Sequence, residues 1–285
     1  MQPVFRFAPS PNGHLHLGHA FSALLNGALA ARFGGRLLLR LEDIDVTRCR
    51  PEFVASIRDD LAWLGLEWEE PVRRQSEHFA DYEAAAGRLR EQGLLYPCRC
   101  SRGDIAAAIA AAEQRDARPW PRDPDGAPLY PGTCRGGAGP GPGRPASWRL
   151  DMERARALHP SLAIPWFDPA TGGEGRTPAA PELWGDVVVV RKEVPTSYAL
   201  SVVHDDALQG VTHVVRGEDL RAATDLHVLL QALLGVGPPL YHHHRLLTDP
   251  HGRKLSKSLR SEPLRDLRAR GMTPGAVRAR LGFGA

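Results

Sequence analysis

Cysteine is scarce, with four in 285 residues, too few for the disulfide framework of a small secreted scaffold. Nor is there an unbroken apolar run of the ~18 residues that a membrane-crossing helix requires. The N-terminus, "MQPVFRFAP", lacks the basic-then-apolar layout of a signal peptide. These absences lead to the expectation of a cytoplasmic protein with no membrane partner. No segment repeats another, which excludes solenoid arrays. A strong overall charge is missing too, since the net is only +3, but the charge is unevenly placed. From Arg245 to the end, ten Lys/Arg face three Asp/Glu, a net of +7, while the rest of the chain carries −4. A basic end on a mildly acidic body suits contact with a polyanion, although a solvated arginine-rich surface would have the same composition.

What is present reads as a globular α/β chain, 42% hydrophobic and 24% charged, long enough for a real core. "VFRFAP" is a short strand closed by a Pro-Ser-Pro turn. A helix follows over Leu17–Arg32, with Leu17, Phe21, Leu24 and Leu25 on one face. "GGRLLLRLED" is a turn and a second strand. Pro51–Leu64 and His78–Gln92 are helices, the first opening on proline and the second ending near Gly93. From Cys98 to about Pro181 the composition turns Pro/Gly-rich around an alanine-rich helix, Ile105–Gln114, so this stretch reads as an insertion with long loops. Regular signals resume at "DVVVVRK", a run suited to a strand buried on both faces, then at "THVVRGED" and at the helix "DLHVLLQALLG". The alternation predicts a parallel sheet in two halves, residues 1–97 and 182–245. The insertion at 98–181 interrupts them, and a loop with a short basic helical tail follows at 246–285.

The stretch "RFAPSPNGHLHLGHA" (Arg6–Ala20) runs from a strand's carboxyl end into a helix N-terminus. Open parallel sheets bind ligands there, and unpaired backbone N–H groups favour anions. Gly13 and Gly18 admit a close ligand, and His16 and His19, three apart, can both face it and donate hydrogen bonds to a phosphoryl group. A plainly structural turn with a capped helix and surface histidines would serve as well on this stretch alone. Far downstream, "GRKLSKS" places Lys254 and Lys257 around a serine on a glycine-led loop, suited to holding a triphosphate. By itself such a string is often only a basic surface. In "YHHHRLL" three adjacent histidines alternate faces along a strand, so they cannot converge on one ion.

In this order and spacing, "HLGH" and "KLSKS" resemble the paired signatures of class I aminoacyl-tRNA synthetases. "LRLEDID", "SYALSVVHDD" and "VVRGEDL" extend the likeness to the glutamyl-tRNA synthetase catalytic core, over most of the chain outside the insertion. Asn12, where threonine is usual, and Leu255, where methionine is common, are mild departures. The resemblance implies a Rossmann-type catalytic domain, ATP with Mg²⁺ as a substrate, L-glutamate as the amino acid and a tRNA as acceptor, with a monomer expected. It implies glutamate contacts from Arg6, Phe7, Ala8, Pro9, Ser10, Glu42, Tyr198 and Arg216. Glu42 would take the ammonium, and Arg216 would select the acidic side chain. ATP would meet His16, Gly18, His19 and Lys257, with His16, His19, Lys254 and Lys257 as the catalytic set. Asp43 and Asp45 are read as turn or ion-pair residues, since ATP brings its own magnesium, held mainly by phosphates and water.

Cys98, Cys100 and Cys134 mark the insertion, while Cys49 stands apart as an ordinary thiol. On spacing alone, zinc and buried free thiols are equally good readings, and His159 and Tyr130 are both available as a fourth ligand. The C-x-C…Y-x-x-x-C pattern resembles that of the glutamyl-queuosine tRNA(Asp) synthetase family. This implies a structural Zn²⁺ held by Cys98, Cys100, Tyr130 and Cys134. Only 28 residues follow Lys257, too few for the large anticodon-reading region of an ordinary glutamyl-tRNA synthetase. That truncated layout also resembles the queuosine-directed family, so glutamate transfer to queuosine in tRNA(Asp) is the expectation. A minimal enzyme charging tRNA(Glu) and a non-catalytic tRNA-binding paralogue are the alternatives.

Overall fold

The computed structural model describes residues 2–137, 139–248 and 262–284. β1 (Val4–Phe7), β2 (Arg36–Leu41) and β3 (Glu69–Arg74) alternate with α1 (Leu17–Arg32) and α2 (Pro51–Trp63). Then come α3 (Phe79–Glu91), β4 (Leu95–Cys98), α4 (Arg102–Asp116), β5 (Ser147–Leu150) and α5 (Met152–Leu158). β6 (Ala163–Phe167), β7 (Glu174–Pro178), β8 (Val188–Val190), α6 (Tyr198–Leu208), β9 (His213–Gly217), α7 (Ala223–Leu234) and β10 (Leu240–His244) follow. α8 (Leu264–Ala269) and α9 (Pro274–Arg280) close the chain. The main sheet has seven strands in the order β3-β2-β1-β9-β10-β6-β7, and a three-stranded sheet has the order β4-β5-β8. All pairings in the large sheet are parallel except β6 with β7. No helix among the described residues is long and apolar enough to cross a membrane.

The sheet memberships correct two expectations. β6 and β7 lie inside the stretch read as insertion, yet they extend the main sheet, with Trp166 of β6 opposite Tyr241 of β10. The proline in "AIPWF" and the polar "EGRTP" hide both strands from a reading based on apolar runs, because proline is tolerated only at sheet margins. "DVVVVRK" supplies β8, which pairs antiparallel with β5 in the small sheet rather than joining the large one. An apolar run reports burial and cannot say which sheet buries it. The small sheet has no separate core. Leu95, Leu150 and Val189 pack in one cluster with Leu89 of α3, Leu200 of α6 and Leu229 of α7.

α1 spans the residues its periodicity predicts. Buried Asn26 fastens it to the sheet by donating to Val215 O of β9 at 3.1 Å, and donates also to Ser22 O within the helix at 2.9 Å. α7 ends at Gly235, whose φ of 71° favours glycine. α8 and α9 dock against the same face as α2, and Leu264, Leu267 and Val277 join Leu15, Leu24, Ile57 and Leu61 in one cluster. Two of the tail arginines serve this docking. Arg268 lies 5.8 Å above the Trp63 ring, and Arg278 donates to Leu64 O at 3.1 Å.

On α2, Asp60 is 2% exposed and leaves Oδ2 without a hydrogen-bond partner. Burial pushes its carboxyl up to about 6, against the pull of Arg268. A raised folded-state value means that the native protein holds this proton more tightly than the unfolded chain does. The cost to stability therefore grows as pH rises from the ordinary 3.8 to about 6 and is fully present above. Asp60→Asn is expected to melt several degrees above the parent at pH 8, with the advantage fading towards pH 4. Melting differences that do not change with pH would contradict this account.

Candidate functional site

A cavity of about 520 Å³ opens at the carboxyl ends of β1, β2 and β9. In the strand order, the chain leaves β1 in one direction towards β2 and β3, and in the other towards β9 and β10. This is the reversal point at which open α/β sheets hold ligands. The wall contains Arg6, Phe7, Ala8, Pro9 and Ser10 from the end of β1, and His16, Gly18 and His19 from the entry to α1. Glu42, Tyr198 and Arg216 also line it. The expected glutamate and ATP residues among those described thus surround one space. Asp43 and Asp45 are not in the wall. Asp43 accepts from Arg74 at 3.0 Å and from the Ser76 hydroxyl at 2.8 Å, and Asp45 pairs with Arg48 at 2.6 Å.

The two histidines both cap the helix and face the cavity. His16 is the N-cap of α1, and its Nδ1 accepts from Gly18 N at 3.1 Å. His19 Nδ1 accepts from His16 N at 3.2 Å, and the ring centroids are 3.9 Å apart. An Nδ1 that accepts a backbone N–H carries no proton, so in each neutral ring the proton sits on Nε2. The caps therefore set the tautomer.

Beneath the cavity runs a buried ion network. Arg40, fully buried on β2, donates to Asp206 at 2.7 Å and to Glu42 at 3.2 Å. Asp206 also accepts from Arg6 Nε at 3.2 Å. The neighbouring Asp205 accepts from Arg73 Nε at 2.7 Å, Gln75 at 2.9 Å and the Tyr82 hydroxyl at 2.9 Å. Burial would raise the Asp206 carboxyl, but Arg6 and Arg40 hold it below the usual carboxylate range. Glu42 goes the other way, pushed up by burial against the pull of Arg40 and Arg6. Burial, then the charge of Glu42, pushes Tyr198 up to about 12.

Arg216 is different. It is 5% exposed and meets no carboxylate within ion-pair distance among the described residues. Its NH2 donates to Thr224 Oγ1 at 2.8 Å, its NH1 lies 3.3 Å from His227 Nδ1, and Nε has no partner. Sequence reading did not single out Thr224, His227 or Asp206. "HDD" reads as part of a motif, but only the packing of α6 on the sheet gives its second aspartate two arginines to hold.

Lys254 and Lys257 lie outside the described residues. The chain on either side of them borders the cavity: Leu246 and Leu247 are in its wall, and Pro263 forms a β-bridge with His16. The adjacent histidines of β10 diverge as alternation requires. His243 Nε2 meets Thr224 at 2.9 Å, His242 lies by Phe167, and His244 enters the cavity wall.

Away from the cavity, the sulfurs of Cys98, Cys100 and Cys134 all lie within 4.8 Å of one another, with 3.4 Å between Cys100 and Cys134. The Tyr130 hydroxyl oxygen is 3.4 Å from Cys98 Sγ and 3.6 Å from Cys100 Sγ. Thiolates on a tetrahedral zinc with bonds of about 2.3 Å stand about 3.8 Å apart, so this set has the right size and the right soft donors. His159 caps the C-terminus of α5 and is not part of the group. Burial would raise the Cys134 thiol, but hydrogen bonds from the Tyr130 side chain and the Arg99 amide bring it down to about 7.

A mostly parallel sheet with a histidine-capped helix at its reversal point is the architecture of a class I tRNA synthetase. Residues 4–280 match the family of tRNA synthetases class I (E and Q), catalytic domain, and the chain belongs to it. Among its relatives, it is 47% identical to the glutamyl-Q tRNA(Asp) synthetase of Rhodobacter capsulatus, over 98% of this chain and 100% of that protein. It is 40% identical to glutamate--tRNA ligase 2 of a Methylobacterium species, over 97% of this chain but 59% of the ligase. A crystal structure of a glutamate tRNA ligase from Elizabethkingia meningosepticum, in complex with its amino acid, superposes with a TM-score of 0.70 at 26% identity. That match covers 95% of this chain, which spans about half, 54%, of the ligase.

Proposed function

We propose that the protein activates L-glutamate with ATP and transfers it to queuosine in the anticodon of tRNA(Asp). The observation that carries the glutamate reading is Arg216, a buried cation held, among the described residues, only by neutral groups at the wall of a cavity that also holds Glu42. A carboxylate side chain completes its pairing, whereas glutamine leaves the charge unanswered. Glu42 takes the ammonium, and Tyr198 and the Arg6–Ser10 turn frame the rest of the amino acid. The full-length match to the R. capsulatus relative supports the queuosine-directed acceptor over a tRNA(Glu)-charging role.

In this reading the glutamate α-carboxylate attacks the α-phosphorus of ATP and pyrophosphate leaves. ATP brings Mg²⁺ with it. His16 and His19 donate Nε2–H to the phosphoryl oxygens as negative charge builds in the transition state. Lys254 and Lys257 hold the departing pyrophosphate. A hydroxyl of the acceptor nucleoside then attacks the mixed anhydride and releases AMP, with no covalent enzyme intermediate. Cys98, Cys100, Cys134 and Tyr130 hold one structural zinc ion, remote from this chemistry.

Glutamate-dependent exchange of pyrophosphate into ATP, without tRNA, tests the activation step; its absence in the purified protein would end the proposal. Labelled glutamate should then pass to tRNA(Asp) that contains queuosine and not to tRNA(Asp) without it. The two duties of His16 separate in His16→Asn, because asparagine caps a helix well but lacks Nε2. Exchange is expected to fall about 100-fold, the usual loss for one transition-state donor, with little change in melting temperature. Unchanged exchange would reduce His16 to a cap.

A further inference from the structure

The glutamate reading leaves one feature of the site unaccounted for. The other two buried arginines among the described residues, Arg40 and Arg6, are matched by the carboxylate of Asp206. Arg216 instead rests on α7, which offers it a threonine and a histidine, both buried. Their roles are fixed by what they touch. The Thr224 hydroxyl lies 3.2 Å from Leu220 O and donates to it, so its lone pairs remain for Arg216 NH2 and for Nε2–H of His243. A guanidinium is all donor, so His227 Nδ1 at 3.3 Å is an acceptor and the ring is neutral. Protonation would set N–H against N–H beside a full positive charge. Burial, then Arg216, accordingly lowers His227 well below its ordinary value, and the same two causes bring His243 to about 3. The Tyr241 ring, 5.5 Å from the guanidinium carbon, closes another side. Asp206 is within electrostatic range of His227, but Arg6 and Arg40 already hold it.

We infer that His227, with Thr224, is a specificity-determining positioning residue: α7 orients the Arg216 guanidinium through neutral acceptors alone and so reserves its charge for the side-chain carboxylate of the substrate. A carboxylate at position 227 would orient the arginine equally well, but it would occupy the charge and make the pocket indifferent to an acidic ligand. The inference rests on the glutamate reading above and explains how that pocket tells glutamate from glutamine.

Asparagine and aspartate test it as a pair, since they share a shape, replace the ring with the same loss of packing, and both offer an Oδ1 acceptor in place of Nδ1, neutral in one and part of a charged carboxylate in the other. Pyrophosphate exchange would be measured with glutamate and with glutamine. His227→Asn is expected to keep glutamate kcat/KM within about tenfold of the parent and to keep the preference over glutamine. His227→Asp is expected to lose about 100-fold more, chiefly in KM, with glutamine use little changed, so that the preference collapses. Thr224→Val should raise the glutamate KM and Thr224→Ser restore it, which gives a second reading should both position-227 variants fold poorly. Equal losses in His227→Asn and His227→Asp with the amino-acid preference intact, or a Thr224→Val protein with parental KM, would overturn the inference while the parent's exchange still supports the glutamate site. A parent without glutamate-dependent exchange would overturn the site itself.

Discussion

Arg216→Ala is expected to lower kcat/KM for glutamate in pyrophosphate exchange by roughly 10² to 10³, because truncating one partner of a buried, hydrogen-bonded charge pair costs about 2–5 kcal/mol. The loss should fall mainly on glutamate recognition, and the fold should survive. In the ligand-free protein Arg216 is a buried cation with an unpartnered Nε, so removing it strands no buried anion. Arg40 makes the contrast. Its removal would leave Asp206 and Glu42 with one cation between them, and breaking such a buried pair costs about 3–5 kcal/mol of stability. Arg216→Lys should resemble the alanine variant more than the parent, since a point-charge ammonium cannot reproduce a planar fork. Exchange kinetics and thermal melts on the three proteins decide it. An Arg216→Ala protein that uses glutamate at the parental rate would leave the acidic pocket without a basis.

The same contrast separates what could be read in the chain from what could not. Residues that line the cavity lie in short, dense motifs at strand ends: Arg6 to His19 around one turn, Glu42 after β2 and Arg216 at the end of β9. Chemistry concentrated in a turn is visible as unusual composition, because a turn needs no imidazoles or paired guanidinium groups for its own sake. Residues that hold those residues are spread over the fold. Asp206 reaches Arg6 and Arg40 across separations of 200 and 166 residues, and only the packing of α6 on the sheet brings them together. Thr224 and His227 sit three apart on α7, a spacing that also fits an apolar stripe, and "TDLHVLL" reads as core. The boundaries of the insertion differ for a related reason: β6 gains its place by pairing with β10 and β7 by pairing with β6, and pairing across 75 residues, from Trp166 to Tyr241, leaves no local trace. The histidine turn presented capping and phosphate contact as alternatives. Imidazole has the groups for both: Nδ1 caps the helix, and Nε2 is a separate group left for a phosphoryl oxygen.

The largest effect on stability should come from the cysteine site. Protein isolated from zinc-containing medium is expected to carry one zinc per chain, and Cys98→Ser, Cys100→Ser or Cys134→Ser to carry almost none, because three thiolates with one hard ligand become two. Structural zinc contributes on the order of 10–16 kcal/mol to the folding of small zinc peptides, more than any side-chain contact in this molecule. Here its loss should be felt locally. Cys98 ends β4 opposite Ser147 of β5, and that ladder continues into the core shared with α3, α6 and α7, whereas the described residues between 117 and 146 contain no regular strand or helix to hold them in place. Chelation should therefore expose this segment to protease while the main sheet still unfolds cooperatively. Gly139 reports on the same point, since a Cβ there would collide with Cys134 Sγ, and Gly139→Ala is expected to weaken metal retention with all ligands intact. Tyr130 is the sharper question. Burial, then hydrogen bonds with Cys134 and Cys98, drives its phenol well above the ordinary value, and a cation among the four groups would favour loss of that proton. Tyr130→Phe should then keep the ion at high pH but release it to chelator faster than the parent. Zinc binding displaces protons, so retention should weaken as pH falls. Metal content by mass spectrometry, with alkylation of Cys49 but not of the three clustered thiols in the loaded protein, measures this directly. A protein without metal, in which all four thiols react alike, would return Cys98, Cys100 and Cys134 to the status of buried free thiols.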